Sequence, residues 1–318
     1  MEDYPEDLLD LERRFSTDAA CRAYLVQLRW PDGFRCPRCN HGRACLIRDV
    51  YFQCAQCRHQ ASVTAGTIFQ DTRKPLRLWF RAIWYVTSQK NGTSALGLQR
   101  ILGIRSYVTA WSWLHRLRRA MVRPGRERLN GVVEVDETYL GGLEEGVAGR
   151  ETEKKALVAV AAEEDGEGIG RIRLQHVADA SALSLHSFVS ASVEPGSVLH
   201  TDGLNSYNGL EVFGYKRKVT VQARSRRKPH ELMPRVHRVA SLLKRWILGT
   251  HQGAVSREHL AYYLDEFTFR FNRRTSQSRG KLFYRLLQQA MQTAPAPYST
   301  LSKGIRSGPE RRPRRRTS

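Results

Sequence analysis

The sequence predicts a mixed α/β domain that follows a small metal-binding ribbon and a helical segment. Three observations lead to this prediction: two Cys-x-x-Cys pairs near the N-terminus, amphipathic helical patterns in the middle of the chain, and short β-branched strands that alternate with helices after residue 131. The domains predicted from these patterns are an N-terminal helix with the ribbon (1–74), a helical segment (75–130), the α/β domain (131–290) and a disordered basic tail (291–318).

The charge of the chain favours a polyanionic partner. Its 318 residues include 52 Lys and Arg against 31 Asp and Glu, a formal net charge of +21. Such an excess attracts nucleic acid, although a membrane surface is an alternative. No stretch approaches the roughly 20 apolar residues of a membrane span, and the acidic start lacks the basic and apolar regions of a secretory signal. We therefore expect a cytoplasmic protein that binds DNA and no membrane.

Two cysteine pairs predict a structural zinc site. Cys36 and Cys39 form the first Cys-x-x-Cys, and Cys54 and Cys57 form the second after fourteen intervening residues. Each pair places two thiolates on one tight turn, and two such turns joined by a hairpin can surround Zn²⁺ tetrahedrally. The β-rich residues between and after the pairs fit the three short strands of a zinc ribbon.

Other residues near these pairs leave alternatives open. His41 or His59 could replace a cysteine as a ligand. A redox dithiol is a second alternative, but one pair would suffice for it. Cys21 and Cys45 fall outside the spacing and are most simply buried or surface thiols.

The segment from 75 to 130 predicts three helices. They are expected at Pro75–Gln89, Thr93–Leu102 and Tyr107–Arg119, with a short turn at Gly103 between the last two. This outline fits a helix-turn-helix, whose second helix could lie in a DNA major groove, and it equally fits a plain αα-hairpin. The arginines predicted to contact DNA from the third helix are Arg116, Arg118 and Arg119.

Two predicted strands carry aspartates that could share a metal ion. The stretch from Val132 to Gly142 contains Asp136, and the apolar run after Ser197 ends at Asp202. A carboxylate in an apolar strand costs desolvation free energy unless it is paired, hydrogen-bonded or bound to a cation. Two neighbouring strands could therefore present both acids to one divalent metal. The alternative is that both are ordinary strand-end residues, with Asp202 opening an Asx turn.

A later helix, predicted from Pro234 to Leu248, supplies a third candidate. His237, Ser241 and Lys244 fall on one of its faces, since residues at i, i+4 and i+7 are neighbours. His237 could reach a metal and Lys244 a phosphate, although an isolated helix histidine is more often a packed or surface residue. The basic loop before this helix faces the same site or is a solvated linker.

These motifs together resemble the IS1595-type (ISXO2-like) transposases of insertion sequences. The resemblance covers about Phe15 to Leu287. It is carried by the four cysteines and by Val133-Glu-Val-Asp-Glu-Thr-Tyr-Leu-Gly-Gly142, His200-Thr-Asp-Gly203, Leu242-Leu-Lys-Arg245, Gly249-Thr-His-Gln-Gly253 and the run from Tyr263 to Arg274. It implies a zinc ribbon before a catalytic domain of the ribonuclease H-like fold, and a DDE-type enzyme that cleaves and joins DNA strands.

The resemblance also implies the roles of particular residues. Asp136 and Asp202 would be the first two acids, and the third should stand seven residues before the lysine of Leu-Leu-Lys-Arg, where this chain has His237. Imidazole suits Mn²⁺ better than Mg²⁺, and Glu231 is the nearest carboxylate that could substitute. The implied mechanism uses two Mg²⁺ or Mn²⁺ ions roughly 4 Å apart, with Lys244 holding a phosphate.

The implied partners are the DNA ends of the element and a target DNA, bound by a homo-oligomer. The remaining cations predicted to contact DNA are Arg226, Arg227, Lys228 and Arg245, and a basic tail with arginines from Arg311 to Arg316 should add sequence-independent affinity. Two other functions stay open: a DNA-binding regulator that has lost catalysis through the change to histidine, and a nuclease that does not join strands.

Overall fold

The computed structural model describes residues 2–123, 125–141, 155–221 and 227–303. The chain divides into two compact units. The first contains Met1–Gly125 and Arg273–Ser302, and the second is built on Arg126–Asn272. Within the described residues, no helix is long and apolar enough to cross a membrane.

The first unit combines a three-stranded antiparallel ribbon with helices. Its strands, in the sheet order β1-β2-β3, are β1 (Ala44–Ile47), β2 (Tyr51–Cys54) and β3 (Gln60–Ser62). Its helices are α1 (Leu8–Arg14), α2 (Asp18–Arg29), α3 (Leu76–Ser88), α4 (Ala95–Leu102), α5 (Tyr107–Ala120), α10 (Arg279–Gln292) and α11 (Tyr298–Leu301). The three short strands and the helices α3 to α5 lie where the sequence patterns predict them.

Aromatic side chains build the core of the first unit. Trp79 of α3 stacks on Trp113 of α5 with ring centroids 3.7 Å apart, and Phe80 of α3 meets Phe283 of α10 edge to face at 5.6 Å. Such pairs are worth about 0.5–1.5 kcal/mol beyond the burial of their area. The apolar stripe that predicted α3 is therefore the face that holds this unit together.

Ordered structure continues past residue 291, where the predicted basic tail starts. Helix α10 ends at Gln292, and α11 follows with Leu301 fully buried. The ring of Tyr298 packs 6.1 Å from that of Trp111, centroid to centroid, so aromatic and apolar burial keeps this segment on the first unit. The arginine-rich part of the predicted tail, residues 304–318, lies outside the described residues.

The second unit is a mixed five-stranded sheet. Its strands are β4 (Val132–Leu140), β5 (Ala156–Asp165), β6 (Gly168–Val177), β7 (Val198–Asp202) and β8 (Lys216–Thr220), in the order β6-β5-β4-β7-β8. β5 is antiparallel to both of its neighbours, β4 and β6, whereas β7 is parallel to both of its neighbours, β4 and β8. This is the ribonuclease H-like arrangement, and it confirms the predicted mixed α/β class.

Helices cover both faces of this sheet. They are α6 (Ala182–Ser192), the one-turn α7 (Pro229–Leu232), α8 (Pro234–His251) and α9 (Leu260–Phe271). β5 is buried along eight consecutive residues, Ala156–Glu163, because α6 packs on one face and α8 and α9 on the other. A strand covered on both faces reads as a continuous apolar run, which explains its sequence.

Helix α9 settles a competition between two sequence periods. Phe267, Phe269 and Phe271 alternate as in a strand, but the segment is helical. Leu260, Leu264, Phe267 and Phe271 recur at helical spacing and share one apolar cluster with α8 and β5. The helical period determines the structure here, because it places a whole stripe of apolar side chains on the sheet.

Candidate active site

The four cysteines of the ribbon converge. The Sγ atoms of Cys36 and Cys57 are 3.6 Å apart, as are those of Cys39 and Cys54, and all four lie within 4.8 Å of one another. A tetrahedron of thiolates around Zn²⁺, with Zn–S distances of about 2.3 Å, has S–S separations of this order. The donor set and its geometry therefore fit a structural zinc ion.

Two matching turns of backbone set these cysteines in place. The N–H of Cys36 donates to the carbonyl of His41 at 3.0 Å, and the N–H of Cys54 donates to the carbonyl of His59 at 2.9 Å. In each turn one residue, Asn40 or Arg58, adopts a left-handed conformation with φ of 59°. The cluster is made of cysteines alone, and each of the two histidines that were alternative ligands contributes a backbone carbonyl to its turn.

The two aspartates lie side by side on neighbouring strands. Val135 of β4 pairs with Thr201 of β7 in parallel register, so Asp136 and Asp202 follow at the same level. An Oδ atom of Asp136 accepts the N–H of Glu137 at 2.8 Å. Asp202 forms the Asx turn that was its alternative interpretation, since its Oδ1 accepts the N–H of Leu204 at 3.0 Å. The turn uses Oδ1 of the carboxylate, and the second oxygen takes no part in it.

His237 joins this pair from α8. Its Nε2 lies 3.9 Å from Oδ2 of Asp136, and the side chains of both residues are partly exposed, at 34% and 20%. The other candidate for the third position, Glu231, is exposed on α7, where its carboxylate accepts the N–H of Lys228 at 3.3 Å. The residue beside Asp136 is thus the histidine.

The electrostatics of Asp136 favour a bound cation. Burial raises its pKa, and the charge of Asp202 adds to the rise, while the N–H of Glu137 and the imidazole of His237 oppose it. A carboxylate that is desolvated and faces a second carboxylate gains most from a divalent ion. Together with the imidazole nitrogen, the donors fit Mn²⁺ or a similar transition metal, and the two carboxylates also suit Mg²⁺.

A buried glutamate, which sequence reasoning missed, fixes the position of His237. Oε2 of Glu134 on β4 accepts the N–H of Arg235 at 2.8 Å and that of Val236 at 2.9 Å, and Oε1 accepts from the Arg235 guanidinium at 3.0 Å. The carboxylate, which is fully buried, therefore caps the N-terminus of α8 from another element. Because alternate residues of a strand share a face, Glu134 and Asp136 project toward the same helix, and His237 follows Val236 directly.

A second acidic cluster lies on the same face of the sheet. Glu134, Glu164 and His200 place ligand atoms within 4.8 Å of one another, a closeness that Asp136, Asp202 and His237 do not reach as a set. The guanidinium of Arg235 bridges Glu134 and Glu164 at 3.0 and 3.2 Å. It also donates to the carbonyls of Gly166 and Gly168 in the β5–β6 turn. A resident cation thus already neutralises this cluster.

Cations line part of a cavity at the end of β4, the strand that carries Asp136. The cavity measures about 720 Å³ and is bounded by the ends of β4 and β5 and by α8, with Lys155, Lys244 and Arg257 among its lining residues. Desolvation lowers the pKa of Lys244 and the charge of Lys155 adds to this, while Asp136 opposes it. Lys244 therefore stands within electrostatic range of the carboxylate, as expected for a residue two helical turns after His237 on the same face.

The other cations predicted to contact DNA are placed differently from one another. Arg118 is buried, with 2% of its surface exposed, and Arg116 donates to the carbonyls of Ala296 at 3.0 Å and Ile68 at 3.4 Å. These two predictions need correction, because both guanidiniums point into the first unit, where α5 packs. Arg119 is partly exposed; Arg227, Lys228 and Arg245 are exposed; Arg226 lies outside the described residues.

Comparisons with known proteins agree with this architecture. Residues 128–272 match the family described as the ISXO2-like transposase domain, and residues 16–60 match the transposase zinc-ribbon domain. An uncharacterized protein in transposable element ISH50 of Halobacterium salinarum (strain ATCC 700922 / JCM 11081 / NRC-1) is 27% identical over 286 residues, covering 81% of this chain and 92% of that protein.

These matches identify two domains in this chain: an ISXO2-like transposase domain over residues 128–272 and a transposase zinc-ribbon domain over residues 16–60. The chain carries the ISXO2-like transposase domain on its five-stranded sheet, and the resemblance to IS1595-type transposases that its motifs predicted is confirmed.

Proposed function

We propose that this transposase cleaves and joins DNA strands at a divalent metal site formed by Asp136, Asp202 and His237. The observation that carries the proposal is the meeting of the three residues from three separate elements: two aspartates level on adjacent strands, and an imidazole 3.9 Å from one of them. Sequence-distant ligands that gather at strand ends of a sheet are typical of a catalytic site.

When bound, divalent ions would activate the attacking hydroxyl and stabilise the leaving 3′-oxygen of a phosphodiester. The chain's own residues hold and orient the substrate. Asp136 and Asp202 supply carboxylate ligands, and His237 supplies the nitrogen ligand that takes the place of a third acid. Lys244 offers a positive charge beside Asp136, where it would bind the scissile phosphate and help to neutralise charge that develops during in-line attack.

The DNA strand would pass along the cavity that Lys244 lines. Its cationic residues suit the phosphodiester backbone, because each contact with a phosphate releases bound counterions and so adds affinity. Exposed Arg227, Lys228 and Arg245 would extend the same positive surface. The duplexes bound are the ends of the element and a target, and a synaptic complex that holds two ends requires more than one copy of the chain.

Metal preference provides a direct test of His237. The substrate is a supercoiled plasmid that carries the gene with its flanking DNA, and nicking is followed with Mg²⁺ or Mn²⁺ as the only divalent ion. We expect the wild type to favour Mn²⁺ and His237→Glu to move the preference toward Mg²⁺, because a third carboxylate restores an all-oxygen site. His230→Glu is the matched control, since that residue is exposed on α7.

Unchanged metal preference in His237→Glu would remove His237 from the site. Absence of nicking by the wild type in either metal would favour the alternative of a DNA-binding regulator. A nuclease would nick the plasmid and yet fail to insert pre-cleaved ends into a second DNA, so the joining assay separates that alternative from a transposase.

A further inference from the structure

The corner between α4 and α5 exposes apolar side chains that no packing within the first unit explains. Tyr107 and Val108, in the first turn of α5, are 51% and 47% exposed, and Ile101 near the end of α4 is 59% exposed. Arg100 and Arg105 are exposed beside them. Large apolar residues that stand together on a surface usually mark an interaction site.

The lengths of α4, α5 and their connection fit a helix-turn-helix. Ser94 caps α4, whose C-terminus ends at Gly103 in a left-handed conformation with φ of 63°, and buried Ile104 anchors the turn before α5 begins at Tyr107. The connection spans four residues. This matches the short glycine-containing turn of DNA-binding helix pairs.

The two halves of α5 have different surroundings. From Trp113 onward the helix is packed: Trp113 stacks on Trp79, Arg116 binds carbonyls inside the unit, and Arg118 is buried. The residues from Arg105 to Val108 are exposed. In a helix-turn-helix the first residues of the second helix contact base edges in the major groove, so the exposed first turn of α5 is the part that would enter the groove.

The charge of the segment selects duplex DNA as the occupant. Residues 72–125 contain eleven Lys and Arg and not one Asp or Glu. A basic segment without carboxylates suits the phosphate backbone, whereas a second copy of the same segment would bring like charges together. Exposed Tyr and Val side chains between arginines suit base edges and thymine methyl groups.

We propose that the exposed first turn of α5, with Tyr107 and Val108, reads base sequence in the major groove, while Arg100 and Arg105 bind the flanking phosphates. This inference rests on the proposed function, because it names the surface by which the transposase would recognise its DNA. The sequence had placed the DNA contact at the arginine run near the end of α5, which is buried. The proposal places it at the opposite end of the same helix.

The test is selection of bound sequences from a random-sequence duplex library by the full chain. We expect the wild type to enrich a defined motif, and Tyr107→Ala with Val108→Ser to lose at least about tenfold in affinity for that motif. Affinity for a bulk competitor duplex should stay within about twofold, since those contacts are to phosphates. Val212→Ser, at an 86% exposed position in the second unit, is the matched apolar control.

The contribution of the arginines is measured by the salt dependence of DNA binding. Arg105→Ala should weaken binding to all sequences alike and lower the slope of log affinity against log salt by about one, whereas Arg13→Ala, whose side chain is 80% exposed on α1, should leave the slope unchanged. Far-ultraviolet circular dichroism and zinc content would verify that each variant is folded.

Three results would overturn the proposal. They are a wild type that enriches no motif, a Tyr107 and Val108 variant that enriches the same motif with the same affinity, and a variant whose only change is a smaller oligomer. The last would assign the apolar corner to contact between copies. None of them bears on metal-dependent nicking, so the proposed catalytic chemistry stands or falls separately.

Discussion

The cysteine site of the ribbon and the candidate catalytic site of the sheet are built in opposite ways. The zinc site draws its four ligands from two turns less than twenty-five residues apart, and backbone hydrogen bonds within each turn orient the thiolates. The candidate catalytic site draws Asp136, Asp202 and His237 from three elements spread over a hundred residues, and the position of His237, its proposed third ligand, depends on a helix capped by Glu134. The cysteine site is formed by local turns and organises its own part of the fold. The candidate catalytic site exists only once the sheet and its helices are in place.

This difference separates stability from function. A site that organises its own loops should unfold when its metal is lost, because metal binding supplies folding free energy there. A site assembled on a finished sheet should lose activity when a ligand is changed while the sheet remains. Glu134 combines both kinds of role, since its carboxylate caps α8 and thereby positions His237, the proposed ligand.

The largest effect is expected at the zinc site. Cys54→Ser should abolish zinc binding and unfold the ribbon, because binding free energy on the order of 10 kcal/mol contributes to the stability of such small sites. Zinc content measured by atomic emission and the thermal unfolding curve would check this. Cys45→Ser is the control, since Cys45 is exposed on β1 outside the cluster; equal zinc in both variants would contradict the assignment.

A carboxylate ligand should matter for activity and little for folding. Asp136→Asn is expected to reduce strand cleavage by about 10³-fold, since losing roughly 4 kcal/mol of metal-dependent transition-state stabilisation has that effect. Its melting temperature should equal or exceed that of the wild type, because a partly desolvated charge facing Asp202 has been removed. Asp165→Asn, at the exposed end of β5, should cleave normally. Cleavage retained in the Asp136 variant would exclude this residue from catalysis.

Substitution of Glu134 should affect both the stability of the fold and the metal-dependent activity. In Glu134→Gln the amide presents a donor toward N–H groups and a guanidinium, so we expect a loss of about 1–3 kcal/mol of stability. We also expect the affinity for Mn²⁺ to fall by about 10- to 100-fold, which is the cost of removing a contact that orients a ligand. Stability comes from denaturant unfolding and metal affinity from the Mn²⁺ titration of nicking.

The matched variant is Glu164→Gln. Glu164 shares only the Arg235 guanidinium and leaves the helix cap intact, so its Mn²⁺ dependence should stay near that of the wild type. If Glu134→Gln lost stability but kept the Mn²⁺ dependence of the wild type, the glutamate would be a structural cap without influence on His237.

The smallest effect is expected in the pH dependence of stability. It involves Glu163, which belongs to neither the cysteine site nor the candidate catalytic site. Burial acts to raise the pKa of Glu163, but hydrogen bonds from Arg171 and from the N–H of Asn130 outweigh it and lower the pKa below its ordinary value of 4.5. A lowered pKa gives stability that is present above about pH 4.5 and is lost as the pH falls through the folded-state value.

We therefore expect Glu163→Gln to be less stable than the wild type by about 2 kcal/mol at pH 7, with the difference shrinking below pH 4.5. Melting temperatures of both proteins between pH 7 and pH 3.5 would measure it. Glu127→Gln removes an exposed partner of the same arginine and should change little at either pH. A difference that is constant with pH would show that charge is not the cause.

Sequence patterns predicted the parts of this molecule whose signals are local. The Cys-x-x-Cys spacing gave the zinc ligands, since both pairs lie on tight turns, and strand and helix periods gave β4, β7 and α8. Glu134 was missed because a glutamate in a β-branched strand looks like any other acid until the helix that it caps is in place. The signal that could have found it is the two-residue spacing from Asp136, which puts both acids on one face.

Two of the three DNA contacts predicted on α5, those of Arg116 and Arg118, were wrong for a related reason. The run around Arg116 and Arg118 is basic, and a basic run on a helix normally faces solvent. Here α10 and α11 return from the far end of the chain and cover that side, with the Ala296 carbonyl accepting from Arg116. Packing between segments 180 residues apart leaves no pattern in a local window.

The position of a bound catalytic cation is the decisive test of the candidate site. Crystals of the zinc-loaded protein soaked in Mn²⁺ would locate it by anomalous scattering at the manganese edge. The account predicts a peak bounded by Asp136, Asp202 and the Nε2 atom of His237. A peak among Glu134, Glu164 and His200 instead, or no peak on this face of the sheet, would contradict it.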